Sequence, residues 1–224
     1  MLEKASALKG YSLNSLDGDI GNVRDVYFDD RYWTVRYLLA DTGGWLSGKQ
    51  VLISPGNLSS ECGHSHRLSV ELTKAKIKES PYLEPGTLVS QQLENSRFGY
   101  LGWPMYYPHL RNTKQMSDCS LAASDGEIGQ VQDLLIDSGT WTIRYLVIDT
   151  RNSSDDKYVV VAPEWIDRVS WKEAKVFTSL SSASIKPAPE YQTESPPTRE
   201  YEEQLHRHYG RQGYWTAGAA TSAA

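Results

Sequence analysis

The sequence predicts a mainly β protein made of two tandem small β-barrels, each followed by a short α-helix and an aromatic segment. Three observations predict it. Residues 17–42, DGDIGNVRDVYFDDRYWTVRYLLADT, recur as DGEIGQVQDLLIDSGTWTIRYLVIDT at 125–150, 108 positions on and without a gap. Self-similarity at a fixed offset marks a duplicated structural unit. Inside each copy, runs of β-branched and aromatic residues lie between Asp-Gly and Pro punctuation, the pattern of strands separated by turns. A chain of 224 residues also suits two domains of roughly 100–150 residues better than one.

Each element follows in chain order. Ser12-Leu13 and Ser120-Leu121 belong to a first short strand, which ends at the turn dipeptides Asp17-Gly18 and Asp125-Gly126. The next strand runs to Phe28 and Ile136, and the acids Asp25 and Asp133 inside it predict a bulge or a half-buried carboxylate bonded to nearby amides. Asp29-Asp30-Arg31 and Asp137-Ser138-Gly139 form a hairpin turn, followed by strands from Trp33 and Trp141. Arg36 and Arg144 sit mid-strand, and each is expected to pair with a local acid such as Asp25 or Asp133. The strands Lys49–Ile53 and Lys157–Val161 stop at Pro55 and Pro163, because Pro cannot donate to a ladder. A last strand spans Arg67–Leu72 and Lys175–Leu180. Ser90 and Thr198 can cap short helices that Gly102 and Gly210 end. The expected layout is a barrel at 1–80, a connector at 81–112 with a helix at about 91–101, and a second barrel at 113–188. A tail helix at about 199–209 with an aromatic segment fills 189–215, and 216–224 is expected to be disordered.

Composition narrows the function classes. The formal net charge is −5 and the one basic run, Lys74–Lys76–Lys78, is short, which argues against a nucleic-acid partner. Cys62 and Cys119 do not occupy matching positions and read as free thiols of a reducing compartment. No signal-like stretch opens the chain and no run of about 18 apolar residues occurs, so a cytoplasmic protein without a transmembrane segment is expected.

The twin stretches DGDIGNVRDVYFDD with WTVRYLLADT and DGEIGQVQDLLIDSG with WTIRYLVIDT, each followed by a strand ending in Pro, resemble the PRC-barrel family. That family includes the cytoplasmic domain of the photosynthetic reaction centre H subunit and a domain of a ribosome maturation factor. The tandem form, with a helix and a YG…Y[YW] segment after each copy, resembles bacterial PRC-barrel proteins of unassigned function. The resemblance covers residues 5–80 and 113–188. It implies a small β-barrel adaptor that docks on other proteins, and it transfers no functional residue, because no family site motif matches here.

Candidate chemistry is sparse. No catalytic constellation is evident, no cofactor is expected, and a cofactor-binding residue is not assignable. Cys62, His64 and His66 form C-x-H-x-H, but a fourth ligand is missing and the matched positions are Ser170, Lys172 and Ala174, so a solvated loop is expected. His206 and His208 lie two apart on a helix, cannot chelate one ion easily, and read as surface histidines. The Gly-rich loop carrying Trp45 and Leu46, and the aromatic segments carrying Trp103, Met105, Tyr106 and Tyr107 and then Tyr209, Tyr214 and Trp215, are the candidate interaction surfaces. The alternative for the aromatic segments is that they lie back on their own barrels. The expected function is a non-catalytic binding or assembly adaptor for protein partners, with self-association open. The second reading is a small-ligand or metal-binding sensor or enzyme that uses a cleft between the barrels or Cys62, His64 and His66.

Overall fold

The structure, a computed structural model, describes residues 1–59, 66–79, 82–83, 109–151 and 157–216. The protein is mainly β. Among the described residues, one compact unit holds Met1, Glu3–Met116 and Asp133–Arg144; the other holds Leu2, Ser117–Gln132 and the chain from Tyr145 on.

The first copy contains β1 (Leu2–Lys4), α1 (Ala5–Leu8), β2 (Ser12–Ser15), β3 (Gly18–Asp29), β4 (Thr34–Asp41), β5 (Gln50–Ile53), β6 (Arg67–Ser69), α2 (Lys74–Lys78) and β7 (Tyr82–Leu83). The second opens with β8 (Leu110–Asn112) and α3 (Thr113–Ser117). It continues with β9 (Ser120–Ala123), β10 (Gly126–Asp137), β11 (Thr142–Asp149), β12 (Tyr158–Val161), β13 (Ile166–Ser170), β14 (Lys175–Thr178), α4 (Ser182–Ile185) and α5 (Arg199–His208). The offset of the repeat therefore survives as matched strands: β2 with β9, β3 with β10, β4 with β11, β5 with β12 and β6 with β14.

In the first unit, β3 pairs antiparallel with both β2 and β4, β4 with β5, and β6 runs parallel to β2. Alternation along β3 and β4 buries Val26, Phe28, Leu38 and Ala40 completely. A smaller cluster of Tyr27, Tyr37, Leu39, Leu52 and Leu110 packs on the other face. The second copy contributes directly here. β8 pairs antiparallel with the end of β3, Tyr27 opposite Asn112. Asp30 N–H donates to His109 O and Ser138 N–H to Met1 O, both at 2.9 Å, two bonds between residues that match across the offset. Trp33 and Trp141 both adopt left-handed backbone, φ 52° and 55°. Their carbonyls accept reciprocally from Ile143 N–H (2.7 Å) and Val35 N–H (2.8 Å), flanking the pair Thr34–Thr142. The hairpin ends thus meet with local two-fold regularity.

In the second unit β10 pairs with β9, β14 runs parallel to β9, and β12 pairs with β11. β13 is an antiparallel edge strand on β14, and the first copy begins the matching pair at Leu58 and Val70. Arg168 lies over the Phe177 ring at 3.6 Å, and the exposed charges of Asp167 and Arg168 guard an edge that would otherwise invite pairing. Leu121, Leu146, Ile148, Val160, Val176 and Ile185 are fully buried.

The Asp-Gly turns do more than reverse the chain. Asp17 accepts from Lys74 N–H at 2.7 Å and Asp125 from Ser182 N–H and Oγ–H at 2.7 Å, so each acid starts a short helix 57 residues away. Hydrogen bonds from the Ser182 backbone and hydroxyl hold the Asp125 carboxyl below its ordinary range. That contribution is present above about pH 3.9 and lost as pH falls through the lower folded value. Asp125→Ala is therefore expected to lower the melting temperature slightly at pH 6. The difference from the parent protein should shrink in melts taken below about pH 3.9; a constant difference across that range would refute the role.

Candidate functional site

The acids and arginines that recur in both copies are placed first by their partners. Asp25 sits at a register shift in β3, accepts from its neighbour Val26 N–H (2.9 Å), and pairs with Lys9 Nζ (3.1 Å) and the Thr113 hydroxyl. Asp133 accepts from Leu134 N–H (2.8 Å), Ser6 N–H (3.1 Å) and the Ser6 hydroxyl. The bulge and the amide-bonded carboxylate both occur. Each arginine pairs with a local acid as expected, but the acid is the one at the hairpin turn: Arg36 meets Asp29 at 3.6 Å and Arg144 meets Asp137 at 3.3 Å. Asp29 and Asp137 lie at the hairpin turns, where they also accept turn amides, Arg31 and Tyr32 N–H for Asp29 and Gly139 N–H for Asp137. Asp41 and Asp149 accept from Gly43 and Arg151 N–H in the loops that follow.

A cavity of about 500 Å³ opens in the first unit. Three segments line it: Thr34–Arg36 of β4, the turn from Ser54 to Ser59 after β5, and Ser138–Trp141 at the β10–β11 turn. Arg36 is the charged side chain of the described lining; its Nε is buried without a hydrogen-bond partner. Ser54 Oγ accepts from Gly56 N–H at 3.3 Å.

The second unit holds a buried polar cluster under α5. Tyr145 Oη lies 3.0 Å from Glu202 Oε1 and 2.9 Å from His206 Nε2. His206 Nδ1 faces Gln212 O at 3.0 Å, and Arg199 pairs with Glu202 at 3.1 Å. Burial, and next the Glu202 charge, push the Tyr145 phenol up, so it stays protonated and donates. Burial lowers the His206 imidazole below its ordinary range against the pull of Gln212, Glu164 and Glu202, so it is neutral at pH 7. Trp165 and Trp215 pack edge-on to the His206 ring, at 5.1 and 5.0 Å. Arg199 lies over the Trp215 ring at 4.2 Å. Chemically this is a closed hydrogen-bonded lock, since Tyr145, Glu202 and His206 are each no more than 3% exposed.

No protein-family model matches this chain, and no curated protein matches it.

The sequence-predicted residues fall as follows. Cys62, His64, Trp103, Met105, Tyr106, Tyr107 and the helix at 91–101 lie outside the described residues. His66 is exposed, in left-handed backbone (φ 53°), with its ring edge-on to Tyr11 at 5.0 Å. Among the described residues no three His, Cys, Asp or Glu side chains gather for a metal. Trp45 is half-buried in a 3₁₀ turn, its indole N–H donating to Ile20 O at 2.9 Å, with Leu46 beside it. Tyr209 packs on Trp165 at 4.7 Å, and Tyr214 and Trp215 touch each other at 5.1 Å, all half-buried within the second unit. Burial raises the Tyr214 phenol to about 12. Cys119 is a buried thiol in no disulfide, pushed up to about 11 by desolvation, which leaves it unreactive at neutral pH.

His206 corrects the surface-histidine expectation. Thr198 caps α5 through Tyr201 N–H (3.3 Å) and Gly210 ends it at φ 61°, as the cap residues indicated. The face that α5 buries is Glu202, Leu205 and His206. These are one helical stripe by spacing, i, i+3 and i+4. Two of its three members are ionisable, so a hydrophobic pattern does not reveal it. The available signal was the first copy, which has Phe98 at the position of His206.

Proposed function

We propose that the chain is a tandem PRC-type protein, two small barrels each followed by a helix and an aromatic segment, that works in the cytoplasm as a non-catalytic module binding other proteins. One observation carries this reading: the polar residues repeated in both copies are engaged in capping turns, starting short helices and bracing strands. Asp17 and Asp125 start helices, Asp25 and Asp133 hold neighbouring amides and hydroxyls, Asp25 at a register shift, and Asp29–Arg36 and Asp137–Arg144 brace hairpins. The duplicated part is thus a scaffold. Function is placed in what differs between copies, foremost the loop at 43–48, apolar here and polar at 151–156, and the aromatic segments.

The test is gel filtration with light scattering of the protein mixed with fractionated host extract, followed by cross-linking and mass spectrometry. The expected result is a complex of fixed stoichiometry whose cross-links map near Trp45 or to 209–215, and which Trp45→Ala weakens at least tenfold. A turnover that one point substitution abolishes without altering the melting temperature would overturn the reading.

A further inference from the structure

The cavity at Arg36 is where the copies diverge in size and charge together. Around it, the positions of Gly56, Ser59 and Ser138 are matched 108 residues away by Glu164, Asp167 and Asp30. Gly139 and Thr140 are matched by Arg31 and Tyr32. The cavity lining has therefore exchanged three carboxylates and one guanidinium for a hydrogen or a hydroxyl, and a phenol ring for a threonine, a net loss of two negative charges. Bulk has been removed, and so has negative charge, from around a retained arginine.

We propose that this cavity binds a small oxyanion-bearing molecule, a phosphate or carboxylate on a compact, partly apolar body. A volume of about 500 Å³ falls in the range of small-ligand sites. A guanidinium offers its N–H groups in a planar fork that fits the oxygens of phosphate or carboxylate. Asp29 engages one end of Arg36 by a single long contact, 3.6 Å, while being held in place itself by the Arg31 and Tyr32 amides. It orients the guanidinium and leaves the remaining donors to a ligand. The other nearby acid, Asp137, lies under the Ser138–Trp141 turn and is met by Arg144, Thr140 and Gly139. Because Ser54 Oγ accepts from Gly56 N–H, its own proton is left to donate to an anion. Val35, Leu58 and Trp141 supply apolar wall for the rest of the molecule. The site is independent of the protein-binding reading, and either can fail alone.

The experiment uses phenyl phosphate as probe, with benzoate, inorganic phosphate and phenol as comparisons, in calorimetric titrations of the full chain. Amide shifts at Gly56 and Gly139 locate the site. Phenyl phosphate or benzoate is expected to bind saturably and phenol at least tenfold more weakly. Arg36→Gln should weaken the anion tenfold or more. That substitution strands Asp29, so the decisive variant is the double change Gly56→Glu, Ser59→Asp, which installs residues the second copy already carries in the matched turn. It should keep the melting temperature and lose the anion by tenfold or more. Undiminished binding by the double variant, or no saturable binding of either oxyanion up to about 10 mM, weaker than any functional affinity on the usual scale, would overturn the proposal.

Discussion

Gly129→Ala is expected to destabilise the second unit by about 3 kcal/mol or more, with Gly21→Ala acting alike in the first, among the larger effects a single methyl can have. A Cβ on Gly129 would lie 2.1 Å from Asp149 O and 3.2 Å from Ile148 Cγ2; on Gly21 it would lie 1.9 Å from Asp41 O. The two carbonyl oxygens are backbone atoms of paired strands and cannot swing aside as a side-chain tip could. Relief requires β10 to move from β11, or β3 from β4, at the register shift where Gly129 faces Leu121 and Gly21 faces Leu13. Gly21 adds a second cost, since its φ of 114° is one that L residues rarely adopt. Gly44→Ala is the control: nothing lies within 4 Å of its Cβ, so a change within about 0.5 kcal/mol is expected. Thermal melts decide it. For a chain of this size about 3 kcal/mol corresponds to a fall of roughly 6–12 °C, and a Gly129→Ala protein melting within a degree or two of the Gly44→Ala control would show that the strands are not held this close.

The strands, the turns and the caps of α5 were legible because local chemistry specifies them: Asp-Gly at a turn, Pro after a strand, Thr198 before and Gly210 after a helix. What stayed hidden depends on partners far away in sequence. β1 and β8 are three residues each, too short to show any period, and what identifies β8 as a strand is its pairing with β3 more than 80 residues earlier. Which local acid Arg36 meets was hidden for a related reason. Strand alternation says which face an arginine takes but not how far along the neighbouring strand its reach extends, and Asp29 lies nearer the turn than Asp25. The cavity was illegible in either copy by itself. It appears only once the folded structure brings the turn after β5 beside Ser138–Trp141 and the two sets of residues are compared.

His206 yields the second large effect, a pH dependence. Because burial lowers its proton affinity in the folded protein, the unfolded chain takes up a proton near the ordinary histidine value of about 6.5 while the folded one resists it. Stability is therefore full above about pH 6.5 and is lost as pH falls through the folded value. The groups facing the ring are Tyr145, Glu202, Glu164, Arg199 and Gln212, with Trp165 and Trp215 at its edges. The carboxylates of Glu202 and Glu164 oppose the shift and Arg199 favours it, but burial is the largest influence. His206→Phe installs the residue found at the matched position of the first copy. With the imidazole gone, the single Tyr145 hydroxyl proton goes to Glu202, so both polar groups of that pair keep a partner. The variant should melt at a temperature that changes less between pH 7 and pH 5 than the parent's, and at pH 5 the two curves should converge or cross. Tyr145→Phe is the opposite case: Glu202 keeps Arg199 and His206 keeps Gln212, but Glu202 Oε1 and His206 Nε2 are left facing an apolar ring, which should cost about 1–3 kcal/mol at pH 7. If both proteins lose stability in parallel from pH 7 to pH 5, the acid sensitivity belongs elsewhere and the lock under α5 does not titrate. If instead only the parent shows the slope, one imidazole sets how firmly α5 and its aromatic end are held.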